Sequence, residues 1–111
     1  MARSALRNVM VQAATKAGRS LARDFGEVQN LQVSLKGPGD YVSQADRKAE
    51  EIIYNELSKA RPGYSFLMEE SGVVKGSDDQ HRWLFDPLDG TTNFLHGIPI
   101  FAVSIALERQ G

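Results

Sequence analysis

The chain has 111 residues, of which 41% are hydrophobic and 24% charged, a balance typical of a folded globular protein and not of a disordered one. Its net charge is −1 and its lysines and arginines are scattered, so the composition gives no reason to expect a nucleic-acid-binding protein. It has no cysteine, which excludes disulfide frameworks, thiolate nucleophiles and cysteine-ligated zinc and fits a cytoplasmic location.

The first part of the chain is predicted to form a helix and then a strand. Ser4 can cap a helix, and apolar residues recur at three- and four-residue spacing from Leu6 to Phe25, which predicts an amphipathic helix of about five turns. Charges are spread along this stretch, which is unlike a secretory signal. Residues 28–35 alternate in hydrophobicity and predict a strand, and residues 36–40, Lys-Gly-Pro-Gly-Asp, predict a loop.

The middle of the chain predicts a second helix and a short strand. The helix is expected to start near Ser43 or Asp46 and to end at residues 61–63, Arg-Pro-Gly. The short apolar run at residues 64–68 predicts a strand. Residues 73–80 are polar and contain glycine, so they predict a loop.

Two further strands are predicted. Residues 83–85 form a short apolar run that Asp86 and Pro87 interrupt, and residues 101–107 alternate between larger and smaller side chains, which is the clearest strand pattern in the chain. The longest apolar run, residues 98–107, is shorter than the roughly 18 residues that span a bilayer, so no membrane association is expected. The predicted order is helix, strand, helix and three strands, which indicates a mixed α/β fold.

Chemistry-bearing residues are concentrated immediately after residues 83–85. Asp86 and Asp89 follow an apolar strand, and Gly90 permits a tight turn. Carboxylates and carbonyl oxygens are the ligands that Mg²⁺ prefers, so Asp86, Asp89 and the carbonyl of Leu88 are candidate ligands. The backbone N–H groups of Gly90 and Thr91 would suit a phosphate if a helix starts there. Metal-assisted hydrolysis of a phosphomonoester needs such a combination, because the cation neutralises phosphate oxygens and activates water.

A second acidic group follows the predicted strand at residues 64–68. Glu69 and Glu70 come directly after it, and strands that end at one edge of a sheet bring such groups together. The simpler interpretation of Glu69 and Glu70 taken alone is a solvated acidic pair.

These motifs resemble those of the inositol monophosphatase family. Residues 86–94, Asp-Pro-Leu-Asp-Gly-Thr-Thr-Asn-Phe, match every position of the family's first signature. Residues 69–71, Glu-Glu-Ser, and residues 40–46, Asp-Tyr-Val-Ser-Gln-Ala-Asp, are similar to two further family motifs. The resemblance covers essentially the whole chain and implies a layered αβαβα fold, a magnesium-dependent and lithium-sensitive phosphatase, a homodimer and a small phosphomonoester substrate.

The resemblance implies a role for each matching residue. Glu69, Asp86, Asp89, the carbonyl of Leu88 and, at a weaker outer position, Glu70 would bind magnesium. Glu69 would also orient the attacking water. The implied substrate-contacting residues are Glu69, Leu88, Asp89, Gly90 and Thr91.

Two residues are implied to act on the nucleophilic water. The Thr91 hydroxyl would hydrogen-bond this water, and Asp46 would orient the hydroxyl. From the residues alone, Asp46 could instead be a carboxylate in the first turn of a helix and Thr91 only a helix cap. Surface or supporting roles are expected for His81 and His96, because magnesium disfavours imidazole.

The family's second signature, Trp-Asp-x-Ala-Ala-Gly, has no match in the chain. Residues 1–111 are therefore expected to be the N-terminal portion of a single catalytic domain whose C-terminal portion is absent, and the isolated piece is expected to be inactive. The leading function is hydrolysis of inositol monophosphate. The alternatives are another phosphomonoester (fructose bisphosphate, an adenosine bisphosphate nucleotide or histidinol phosphate) or an accessory protein that binds the transcription machinery without contacting nucleic acid directly.

Overall fold

The computed structural model of the chain describes residues 4–28, 37–68, 72–90 and 102–109. Within them, two helices precede a four-stranded sheet in the strand order β2-β1-β3-β4. Strands β1 and β3 are parallel, whereas β2 with β1 and β4 with β3 are antiparallel, so the predicted mixed α/β class is confirmed. The elements are α1 (Ala5–Val28), α2 (Gly37–Ala60), β1 (Ser65–Met68), β2 (Gly72–Val74), β3 (His81–Asp89) and β4 (Ala102–Arg109).

Helix α1 forms as its sequence pattern predicts. Ser4 is its N-cap, because its Oγ accepts a hydrogen bond from the Arg7 N–H at 3.1 Å. The apolar stripe of α1 is buried at Ala13, Ala17 and Leu21. Part of the predicted strand at residues 28–35 is wrong, since Val28 is the last residue of α1; residues 29–36 lie outside the described residues.

Helix α2 starts earlier than its sequence predicts. Residues 37–40 were predicted to be a loop, but they form the first turn of α2, so the predicted start near Ser43 or Asp46 is wrong. Pro38 is compatible with this because the first helical turn needs no intrahelical N–H donor and favours proline's fixed φ. The predicted end at residues 61–63 is confirmed, since the helix stops at Ala60 and Gly63 adopts a φ of 96°.

Two strand predictions need correction. Val73 and Val74 were assigned to a loop, but they belong to β2, where pairing with β1 supplies backbone partners that the local sequence does not reveal. Strand β3 was predicted to stop before Asp86, but it continues through Pro87 to Asp89. Proline is tolerated there because the ladder to β4 changes register between Asp86 and Asp89.

The two helices cover one face of the sheet. Trp83 and Phe85 of β3, together with Phe66 and Met68 of β1, point into this core, and Trp83 is fully buried as predicted. Phe94 and Phe101, also predicted for the core, lie outside the described residues. The opposite face is more open and carries an ion pair between Arg82 and Glu108 at 2.8 Å.

Neither of the two helices in the described part of the chain is both long enough and apolar enough to cross a membrane.

Candidate metal and phosphate site

The parallel pairing of β1 and β3 brings two chemistry-bearing sequences to one edge of the sheet. Met68, the last residue of β1, lies opposite Phe85 of β3, and Asp86 follows Phe85 directly. The carboxyl ends of both strands therefore meet at the edge where open α/β sheets bind their ligands. The parallel pairing shows that both strands run toward the same edge, although β3 continues past Phe85 to Asp89. Glu69, Glu70 and Ser71, which follow Met68, lie outside the described residues, so their approach to Asp86 stays a prediction.

A β-bulge sets the relative direction of Asp86 and Asp89. Asp86 lies opposite Ser104 and Asp89 opposite Ala102, so three steps along β3 correspond to two steps along β4. Residues two apart in a strand share a face, and so do residues directly opposite in a ladder. Asp86 and Asp89 therefore lie on the same, open face of the sheet, although residues three apart in a regular strand point to opposite faces.

The bulge is anchored in the core. Its two intervening residues, Pro87 and Leu88, are both buried, whereas Asp86 is half-buried and Asp89 is exposed. The Oδ1 of Asp86 accepts a hydrogen bond from the Leu88 N–H at 3.1 Å, which favours one orientation of the Asp86 carboxylate. Gly90 follows with a φ of 92°, a left-handed conformation that glycine adopts without strain.

The donor atoms of these residues are of the type that magnesium prefers, but they supply only part of the ligands that such a site needs. Two carboxylates and the Leu88 carbonyl offer only hard oxygen donors, which magnesium prefers, and it usually retains several waters beside few protein ligands. No cluster of three or more His, Cys, Asp or Glu side chains at metal-binding spacing occurs within the described part of the chain. Asp86 also borders an open depression of about 420 Å³, whose lining apart from Asp86 and Ser104 is apolar.

Helix α2 contributes two acidic side chains on its sheet-facing side. Asp46, Glu50, Ile53 and Leu57 follow one another at spacings of four, three and four, which places them on one helical stripe. Ile53 and Leu57 are fully buried, Glu50 is 7% exposed, and Asp46 is half-buried with its Oδ1 shielded from solvent. Glu50 was not among the residues predicted for the site, although an acidic residue within an apolar stripe is a detectable signal.

Comparison with known proteins identifies the family. The profile of the inositol monophosphatase family matches residues 2–111. The chain belongs to the inositol monophosphatase family. It is 86% identical over 111 residues to an inositol-1-monophosphatase of Mesorhizobium japonicum. The alignment covers 100% of this chain but 42% of that protein.

Further members of the inositol monophosphatase family are similar in sequence and structure. The crystal structure of the extragenic suppressor protein suhB from Bartonella henselae superposes with a TM-score of 0.84 at 80% identity, over 97% of this chain and 42% of that one. The Nus factor SuhB of Escherichia coli K12 is 41% identical over 94% of this chain and 39% of its own length. The chain thus spans less than half the length of these relatives.

The remaining residues that the family resemblance implied are only partly described. Asp46, Asp86, Leu88, Asp89 and Gly90 are described, and the last four lie together at the end of β3. Residues 91–100 lie outside the described residues, so the roles of Thr91 and His96 stay predictions, as do those of Glu69 and Glu70.

His81 lies at the other end of β3. Its Nδ1 is 3.0 Å from Oδ2 of Asp78, and its ring stacks on Tyr64 with a centroid distance of 4.4 Å. Hydrogen bonds from the backbone N–H of Gln80 and from His81 hold the pKa of Asp78 below its ordinary value, and they outweigh the opposing effect of desolvation. These contacts account for His81 without any role in the chemistry at the carboxyl end of the strand.

Proposed function

We propose that the full-length protein hydrolyses inositol monophosphate to myo-inositol and phosphate in a Mg²⁺-dependent reaction. The observation that carries the proposal is the placement of Asp86 and Asp89 on one open face, at the edge where β1 also ends. A phosphate ester needs positive charge near its oxygens, and paired carboxylates at a strand end are suited to hold the cation that supplies it. The relative at 86% identity is itself named an inositol-1-monophosphatase.

The described residues would prepare the cation site. Asp86, Asp89 and the Leu88 carbonyl would hold magnesium, together with Glu69 and Glu70. The bound metal would neutralise phosphate oxygens and lower the pKa of water. Asp86 contributes orientation as well as charge, because the Leu88 N–H holds its Oδ1. Both aspartates are carried by a bulge whose core side is buried, so their separation is set by the sheet and not by loop motion.

The residues around Gly90 would bind phosphate and orient water. Gly90 follows the strand in a left-handed conformation. The N–H groups of Gly90 and Thr91 would donate to phosphate, and Glu69 would orient the attacking water. The Thr91 hydroxyl would hydrogen-bond the same water, with Asp46 of α2 orienting that hydroxyl. These assignments follow the family resemblance and extend the metal site to the full set of implied residues.

The proposal also concerns the unit that acts. Residues 1–111 would be the N-terminal portion of one catalytic domain, and the enzyme would be a lithium-sensitive, cytoplasmic homodimer. The isolated chain would be inactive, because the family's second signature supplies a further aspartate to the cation site. Measurable phosphate release by a purified chain of these 111 residues would contradict this part of the proposal.

The decisive experiment is phosphate release from inositol 1-phosphate by the full-length protein across a Mg²⁺ titration. Wild-type activity should require Mg²⁺, and Asp89→Ala should lower kcat/KM by about 100-fold or more because a ligand is lost. Asp79→Ala is the matched control, since Asp79 is an exposed aspartate near the opposite end of the sheet. Equal losses in both variants, or activity in the presence of excess chelator, would refute the metal mechanism.

Two alternatives have distinct outcomes in the same experiment. Mg²⁺ binding without turnover of inositol 1-phosphate would favour another phosphomonoester, and a panel of fructose bisphosphate, adenosine bisphosphate and histidinol phosphate would identify it. The name of the Escherichia coli relative, Nus factor SuhB, supports a second candidate, an accessory role at the transcription machinery. A pull-down of RNA polymerase and its factors that succeeds equally with Asp86→Ala and Asp89→Ala would favour that role.

A further inference from the structure

Glu50 of α2 is a buried acidic side chain without a partner in the described part of the chain. It is 7% exposed, and its Oε1 is shielded from solvent and accepts no hydrogen bond there. The ion pairs among the described residues join Lys16 with Glu56, His81 with Asp78 and Arg82 with Glu108, and none involves Glu50. Burial of a carboxylate without compensation is costly, so a side chain kept in this state calls for an explanation.

The position of Glu50 points to the cation site. Glu50 lines a pocket of about 370 Å³ between α2 and the β1–β2 hairpin, together with Arg47, Glu51, Tyr54, Met68 and Val74. Arg47 is exposed and forms none of the ion pairs found among the described residues. Met68 ends β1 at the edge of the sheet where Asp86 continues β3, and it directly precedes Glu69 in the sequence. The Glu50 carboxylate therefore lies toward the edge of the sheet at which β1 ends and Asp86 continues β3, but on the side covered by helices.

Charge explains why an acidic residue would be kept there. A negative charge in a low-dielectric interior acts over a longer distance than one in water, because solvent does not screen it. An apolar side chain of similar length at this position would make the fold more stable and would remove that field. A cation bound at this edge of the sheet would offset the cost of burying Glu50.

We propose that Glu50 is a positioning residue of the cation site, which raises the affinity for Mg²⁺ through its buried charge without being a ligand. The inference rests on the proposed function, since it assigns Glu50 to the same site as Asp86 and Asp89. The proposal predicts that Glu50 affects the stability of the metal-free protein and that of the metal-bound protein in opposite directions. The carboxylate destabilises the metal-free protein and strengthens the metal-bound one.

The test uses the full-length protein, Mg²⁺ titration calorimetry and thermal unfolding with and without Mg²⁺. Glu50→Gln keeps the shape of the side chain and removes its charge, and it should weaken Mg²⁺ binding about tenfold, as loss of a supporting carboxylate does. Its melting temperature without metal should equal or exceed that of the wild type, and its rise on adding Mg²⁺ should be smaller. At saturating Mg²⁺, kcat should stay within about twofold of the wild type, so that the defect is one of cation affinity.

The control is Glu51→Gln, which removes a neighbouring carboxylate that lines the same pocket but is exposed. Its Mg²⁺ affinity should stay within about twofold of the wild type, because water screens its charge. Wild-type Mg²⁺ affinity in Glu50→Gln would overturn the inference. If Glu50→Gln does not fold, Glu50→Met, an apolar replacement of similar length, provides the same comparison.

A further variant separates this inference from the proposed function. Loss of Mg²⁺ binding in Asp86→Asn together with normal binding in Glu50→Gln would refute the role of Glu50 alone. A wild-type protein that binds no Mg²⁺ would refute the proposed function, and the role of Glu50 with it.

Discussion

The two ends of the parallel pair β1 and β3 differ in how their polar groups are used. At the amino end, Asp78 accepts hydrogen bonds from the N–H groups of Gln80 and His81 and pairs with the His81 ring. At the carboxyl end, Asp86 makes a hydrogen bond to the Leu88 N–H, Asp89 is exposed, and nearby Glu50 is buried without a partner in the described part of the chain.

On this pair of strands, the polar groups at the amino end stabilise the fold, whereas those at the carboxyl end are available to bind a cation. A carboxylate whose hydrogen bonds are satisfied within the protein stabilises the fold and has little capacity left for a ligand. Carboxylates that have few such partners repel one another and stabilise the fold less, but they can bind a cation. We therefore expect substitutions at the amino end to change stability and substitutions at the carboxyl end to change cation binding and activity.

The largest effect is expected at Asp86. Asp86→Asn keeps an acceptor for the Leu88 N–H but removes a proposed metal ligand, so kcat/KM of the full-length enzyme should fall about 100-fold or more. The melting temperature without metal should change little, because the local hydrogen bond is retained. Steady-state kinetics and thermal unfolding together test this. A large loss of stability with unchanged Mg²⁺ dependence would contradict the separation of the two ends.

The next effect is expected at the amino end, in Gly76→Ala. A Cβ at this position would lie 1.9 Å from the carbonyl oxygen of Gly63, so backbone must move, and the free energy of unfolding should fall by about 1–3 kcal/mol. Chemical denaturation measures the loss, and Mg²⁺ affinity should not change. Gly18→Ala in α1 is the control, because its Cβ meets nothing within 4 Å, and alanine should stabilise the helix by about 0.5–1 kcal/mol.

The smallest effect is expected at Asp78 and depends on pH. Its folded-state pKa is lowered, chiefly by the backbone N–H of Gln80, so the contribution to stability is present above the ordinary value of 3.8 and is lost as the pH falls below it. Asp78→Asn should therefore be less stable than the wild type near neutral pH, and the two should converge in acid. Denaturation of both proteins at pH 7 and at pH 3 tests this; a difference that is larger at pH 3 would contradict the assigned direction.

Local patterns predicted the elements whose stability is local. The Ser4 cap and the apolar stripe predicted helix α1, and the alternation of side chains predicted strand β4. Both predictions succeeded because helix capping and side-chain periodicity are properties of neighbouring residues. The predictions failed where pairing with a distant strand decided the structure. Residues 73 and 74 were predicted to be a loop, but they form a strand because they pair with β1. Strand β3 was predicted to end before Asp86, but it continues because its pairing with β4 accommodates a bulge.

The candidate site divides in the same way. The sequence by itself determined which residues carry the chemistry, since the spacing of Asp86, Leu88, Asp89 and Gly90 is a property of one continuous segment. Only the tertiary structure decided that Asp86 and Asp89 share a face, because this depends on a register shift against β4. It also decided that Glu50 is buried beside Met68, because packing between α2 and β1 joins residues far apart in the chain. The physical reason is that backbone pairing and burial depend on contacts between distant segments, which local sequence patterns do not contain.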